Sequence, residues 1–80
     1  MKINTLFFGI TTDLVGASEL QVEVDENSSI AAFKEALKDE FSQLENINSY
    51  AIAVNEEYAT DDFVLKENDI VAVIPPVSGG

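Results

Sequence analysis

Cysteine, histidine and arginine are all missing from this sequence of 80 residues. Without cysteine there is no disulfide, no thiol nucleophile and no zinc–thiolate site. Without histidine the commonest general base and metal ligand is gone as well. Side-chain catalysis would fall to serine, lysine, tyrosine or carboxylates, so autonomous enzymatic activity is not expected. Positive charge is scarce: Lys2, Lys34, Lys38 and Lys66 face 15 acidic side chains, for a formal net charge of −11. Four scattered lysines cannot build the basic footprint that nucleic acid demands, and an anionic membrane surface is disfavoured for the same reason. Nothing approaches the roughly 20 apolar residues of a membrane helix. Leu6-Phe7-Phe8 is too short for a secretory signal and lacks its cleavage pattern, so the expected compartment is the cytoplasm. Asn27-Ser28-Ser29 matches a glycosylation sequon, which is coincidental without export.

The composition that remains is that of a folded protein. Apolar residues make up 46% of the chain, which argues against disorder despite the charge. The length bounds it to one small domain that buries about 60–65% of its unfolded surface. Its acidity has two readings that composition leaves open: solubility, or fast steering toward a partner with a positive groove.

Patterning along the chain gives the architecture. Residues 3–8 read as a first strand, and 9–16 as a connection with one helical turn around Asp13-Leu14-Val15. Residues 19–24 alternate, which places Leu20, Val22 and Val24 on one face of a second strand and suggests an opening hairpin. Asp25 to Ser29 is a cluster of turn and N-cap residues. From Ile30 the period changes: Ile30, Phe33, Leu37, Phe41 and Leu44 line one stripe, which predicts an amphipathic helix over 29–41. Lys34, Glu35, Lys38 and Asp39 fall off that stripe and read as its solvated face. Residues 46–49 break the helix. Residues 50–54 read as a third strand, 58–60 as a short fourth, and 70–74 as a last strand. The uninterrupted apolar run Ile70-Val71-Ala72-Val73-Ile74 fits a central position in the sheet. One main helix packed on a mixed sheet of four to five strands is an α+β layer.

Most candidate sites fail on inspection. Asp25-Glu26-Asn27 opens like a calcium loop, but Ile30 stands where that loop needs glycine and Ala36 where it needs a bidentate glutamate. Glu56-Glu57 and Asp61-Asp62 read as solvated surface charge. Gly9 and Gly16 stand apart, so no phosphate-binding loop forms. Phe7 and Phe8 are adjacent in a strand and point to opposite faces. Alternation alone does not say which one is buried.

The tail carries the informative signal. The last strand runs directly into Pro75-Pro76, which stiffens the path, and then into Val77-Ser78-Gly79-Gly80. A carboxylate on two glycines can enter a tunnel where any side chain would jam. Once activated by adenylation it could form an amide, a thioester or a thiocarboxylate, and the carrier itself would need no catalytic side chain. Domain and tail are expected to divide as 1–76 and 77–80.

The stretches Leu6-Phe7-Phe8-Gly9, Leu14-Val15-Gly16, Ala53-Val54-Asn55 and above all "NDIVAVIPPVSGG" over 68–80 carry a resemblance over nearly the whole length. The chain resembles the small subunits of molybdopterin synthases, a family of ubiquitin-like β-grasp sulfur carriers. The resemblance implies that an E1-like enzyme uses ATP to adenylate the Gly80 carboxylate, with Gly79 beside it, and that sulfur then displaces AMP. The thiocarboxylate would dock in a large subunit and help convert cyclic pyranopterin monophosphate into molybdopterin. No bound cofactor is implied. The same resemblance makes Phe8, Tyr58 and Ile74 an apolar contact surface, with Pro75, Pro76, Val77 and Ser78 also touching the partner, and so implies an exposed Phe8. Two departures stand out. Thr11-Thr12-Asp13 replaces a basic residue common in the family, and Asn68 replaces a turn glycine, although asparagine tolerates positive φ. Alternatives with the same tail are a ubiquitin-like modifier joined through Gly80 to a lysine and a sulfur carrier for thiamine thiazole synthesis, although thiazole-forming carriers are usually shorter and lack the double proline. A purely structural interaction domain would make the tail incidental.

Overall fold

The computed structural model describes residues 1–44 and 49–76. Among these the elements run β1 (Lys2–Phe7), α1 (Ile10–Val15), β2 (Glu19–Glu23), α2 (Ile30–Glu40), a 3-10 turn (Ser42–Leu44), β3 (Ala51–Val54), β4 (Glu57–Tyr58) and β5 (Ile70–Ile74). The described strands form one sheet in the order β2-β1-β5-β3-β4. β1 pairs antiparallel with β2 as the expected hairpin, and parallel with β5. β3 pairs antiparallel with both β5 and β4. The last strand is therefore central, as its apolar run predicts. With α2 lying across one face, this is the β-grasp arrangement.

Two-residue alternation divides the sheet into faces. Ile3, Phe7, Val22, Ile52, Val54, Val71 and Val73 point into the core against Ile30, Phe33 and Leu37 of α2. Thr5 is buried among them, and its hydroxyl donates to the Ile3 carbonyl at 3.2 Å, so no polar atom is left unpaired there. α2 begins where Ser29 accepts from the Ala32 N–H at 3.2 Å, as an N-cap should. Its next free N–H groups are taken up by a loop. Ile30 donates to the Phe63 carbonyl at 2.9 Å and Ala31 to the Asp61 carbonyl at 3.0 Å.

Several expectations need correction. Lys34 does not lie on the solvated face: it is only 8% exposed, and its ammonium donates to Asp61 at 2.7 Å. Ile30, Phe33, Lys34 and Leu37 follow the i, i+3, i+4, i+7 spacing of a buried stripe, so the lysine occupies a core-facing position and its head leaves through the ion pair. Asp61 correspondingly is not an idle surface charge. The helix stops at Glu40, and Leu44 reaches the core from the 3-10 turn. The predicted break over 46–49 falls mostly outside the described residues, which omit 45–48. The connection after β1 holds a helix of six residues, with the hydroxyls of Thr11 and Thr12 donating to the Phe8 and Phe7 carbonyls. Its C-cap is Gly16 at φ 86, a left-handed position. Asn68 adopts φ 74, as its tolerance of that region predicts.

The fourth strand is Glu57–Tyr58 rather than 58–60, because β3 and β4 are joined by a two-residue turn, Asn55-Glu56, with φ of 52 and 73. Positive φ at both central positions matches the twist of a hairpin and normally selects Asn-Gly. Asparagine suits its place; glutamate is strained there by about 1–2 kcal/mol. Glu56→Gly should therefore raise unfolding stability by about 1 kcal/mol, or roughly 4–8 °C in Tm for a domain of this size. An unchanged or lowered midpoint in thermal and urea unfolding would contradict this account of the turn.

Candidate functional site

The face of the sheet opposite α2 is assembled from the register. One row crosses all five described strands as Glu19, Leu6, Ala72, Ala53 and Tyr58. Neighbouring rows hold Gln21, Asn4 and Ile70 on one side and Ile74 with Ala51 on the other. The two centre positions are alanines, so the middle of the face is low and its flanks stand high. Phe8 continues the outward series Asn4, Leu6 beyond the end of β1.

This settles which phenylalanine faces outward. Phe7 is 2% exposed and packs edge-on against Phe41, with ring centroids 6.4 Å apart. Phe8 is 48% exposed and Tyr58 78%. Ile74 is half-buried on the same face. Exposed aromatic and aliphatic groups gathered on one side of a small domain mark an interaction surface more often than chance scatter does. Ile70, also exposed, belongs to this face and was not singled out by sequence reasoning, nor was Leu6. Counting back by two from Phe8 and from Ile74 would have found both.

Leu6, Phe8, Ile70 and Ala72 line an open concavity of about 470 Å³, closed on one side by Asn55 and Glu56 of the β3–β4 turn. A polar clamp fixes that turn. The Asn55 side chain donates to Asp69 at 3.0 Å and accepts from the Ile70 N–H at 3.0 Å, while the Asn55 N–H donates to the Ile70 carbonyl at 2.8 Å. Asp69 also accepts from the Lys66 N–H at 2.8 Å. Sequence reading did not identify Asn55 and Glu56 as site residues. The polar run Asn55-Glu56-Glu57 directly after the apolar strand Ala51–Val54 was the available signal.

The path of the chain beyond β5 is set by a close contact. Gly9 has φ 59 and ψ −137, a region almost reserved for glycine. A methyl group on it would come within 3.1 Å of Cγ of Pro75. The chain thus leaves the central strand pressed against the backbone just after Phe8, and Pro76 follows exposed. Val77, Ser78, Gly79 and Gly80 lie outside the described residues.

These placements have a direct test in stability. Phe7→Ala should cost about 3–5 kcal/mol, as a buried aromatic truncation does. Tyr58→Ala should cost less than about 1 kcal/mol and Phe8→Ala less than about 2 kcal/mol, because the first side chain is largely and the second half solvated already. Urea unfolding of the three variants decides it; a Phe8 loss equal to that of Phe7 would show the faces to be reversed.

The ThiS family model matches residues 5–80. The molybdopterin synthase sulfur carrier subunit of Arabidopsis thaliana is 33% identical over the whole of this chain and 84% of its own length. Among solved structures, SAMP1 of Haloferax volcanii, a small archaeal modifier protein, superposes with a TM-score of 0.88 at 21% identity, over 100% of both chains. A chain of the complex between subunits 1 and 2 of molybdopterin-converting factor from Helicobacter pylori gives a TM-score of 0.69 at 23% identity, again over 100% of both chains. At these identities the two structures speak for the shared fold; the sequence matches carry the family. With its ubiquitin-like β-grasp fold and its full-length kinship to molybdopterin synthase sulfur carrier subunits, this chain belongs to the ThiS family.

Proposed function

We propose that this protein carries sulfur as a thiocarboxylate on Gly80 and delivers it in molybdopterin synthesis. The observation that carries the reading is the seating of Pro75 on Gly9. It launches the chain beyond β5 from beside the exposed Phe8, so one partner can grip the apolar face and receive the tail together.

The cycle follows from carboxylate chemistry. An oxygen of the Gly80 carboxylate attacks the α-phosphorus of ATP on an E1-like enzyme, and pyrophosphate leaves. Hydrosulfide from a sulfur source then attacks the acyl carbon and expels AMP, which leaves a thiocarboxylate. In the large subunit that sulfur passes to cyclic pyranopterin monophosphate, and water returns Gly80 to a carboxylate. This chain supplies no general base. Its part is to present an acyl group without side chains, Gly79 and Gly80, on a stem stiffened by Pro75 and Pro76. Val77 and Ser78 span from the stem to the tip. Phe8, Tyr58 and Ile74 serve as anchors on the large subunit, in keeping with the weight that aromatic groups carry at interfaces. The H. pylori relative, solved as a complex of subunits 1 and 2, supports a two-subunit arrangement. The modifier reading has the fold in its favour through SAMP1, and it differs in its product, an isopeptide bond to a lysine.

Three changes separate docking from transfer. Phe8→Ala should weaken large-subunit binding by about 1–3 kcal/mol, as hot-spot truncations do. Adding one residue after Gly80, or replacing Gly79 by Val, should abolish sulfur transfer with little effect on stability, because the core is untouched and only the acyl tip changes. The assay is conversion of the pterin precursor by large subunit, E1-like enzyme, ATP and a sulfur source. Near-normal product from the extended protein, with the added residue still present by mass, would overturn the proposal.

A further inference from the structure

The concavity on the outer face is walled by Leu6, Phe8 and Ile70, and Glu56 is the one acidic residue that lines it. Among the described residues Glu56 has no ion-pair partner; the two salt bridges there are Lys34–Asp61 and Lys38–Glu35. Its backbone is held at φ 73, where glycine would be unstrained. A charged side chain thus occupies a position that disfavours it, and it borders an apolar hollow. Its neighbour Asn55 is clamped to Asp69 and Ile70, so the turn that carries Glu56 has a fixed place relative to the hollow. Glu19 stands in the same row as Leu6 and Ala72, and the chain as a whole carries a net charge of −11. The approach is therefore electronegative while the hollow itself is apolar.

We infer that this concavity receives an arginine side chain from the protein that docks on the outer face, its methylene stem lying along Leu6, Phe8 and Ile70 and its guanidinium meeting Glu56. Both halves of the hollow are then used. Lysine fits less well, because its compact ammonium is more strongly hydrated and cannot grip a carboxylate in bidentate fashion. A purely apolar anchor would fill the walls and leave the exposed Glu56 carboxylate without a charged partner. The inference rests on the proposed reading that this face docks a partner protein, and it adds the chemistry by which that partner is chosen.

The probe is butylguanidinium, an arginine side chain without its backbone, set against its neutral isostere butylurea. In an NMR titration of the whole protein, butylguanidinium should give saturable amide shifts at Asn55, Glu56, Ile70 and Ala72. Butylurea should bind there roughly two- to fivefold more weakly, the range an exposed ion pair provides. Glu56→Gln keeps the size of the side chain and removes its charge, and it should erase the difference between the two probes. Equal affinities in the parent protein, a preference that survives Glu56→Gln, or no saturable shift at those amides would each overturn the inference. With the large subunit, Glu56→Gln should lower affinity roughly two- to fivefold at low salt and hardly at all at high salt. Unchanged affinity at low salt would overturn it as well. Failure of the parent protein to transfer sulfur would instead sink the carrier reading and leave the probe result standing.

Discussion

The parallel ladder between β1 and β5 pairs Asn4 with Ile70, Thr5 with Val71, Leu6 with Ala72 and Phe7 with Val73, and so joins strands from opposite ends of the sequence. Because side chains alternate, this register decides which residues form the core and which form the outer face. A slip of β1 by one residue would turn Leu6 and Phe8 inward and Phe7 outward while Val71 and Val73 of β5 stayed in the core. The core side resists such a slip, since Phe7 meets Phe41 and Val73 faces Ile52. Burial of five or six large side chains at once contributes several kilocalories per mole, far more than any single contact on the outer face. The apolar outer face is thus a consequence of a register that the core enforces.

Local polar devices hold the connections to this frame. The Leu65 N–H donating to the Ser28 carbonyl, the Ile30 and Ala31 N–H groups donating to the Phe63 and Asp61 carbonyls, and the Lys34–Asp61 pair fasten the long loop before β5 to the start of α2. Thr11 and Thr12 fold the turn after β1 back on its own carbonyls. Where relatives of this fold are expected to carry a basic residue, these two threonines make local hydrogen bonds. Asn55 does the same work between the β3–β4 turn and the start of β5, and it thereby fixes the edge of the concavity.

Much of this was legible in the sequence. Helical spacing from Ile30 and the uninterrupted run 70–74 announce α2 and the central strand, because both signals lie within a few neighbouring residues. Helical spacing puts Lys34 on the buried stripe, but its ion-pair partner was not legible. The lysine's burial depends on Asp61, 27 residues away, and no local pattern reports such a partner. The choice between Phe7 and Phe8 also escaped periodicity, since a strand's alternation has no absolute phase until a neighbour supplies one. Asn55-Glu56 was missed because its second residue is the wrong one for its turn. Local propensity fails there, and that failure coincides with the edge of the apolar concavity on the outer face.

Carrier, modifier and structural domain would share this fold, and they differ only in what becomes of the Gly80 carboxylate. Intact-mass spectrometry of the protein purified from its native host reads that fate without a reconstituted partner. The account predicts a fraction heavier than the unmodified chain by one oxygen-to-sulfur exchange, with the extra mass on the C-terminal peptide after digestion and lost when hydrolysis restores the carboxylate. Unmodified protein alone, or Gly80 found only in isopeptide linkage to lysines of other proteins, would contradict it.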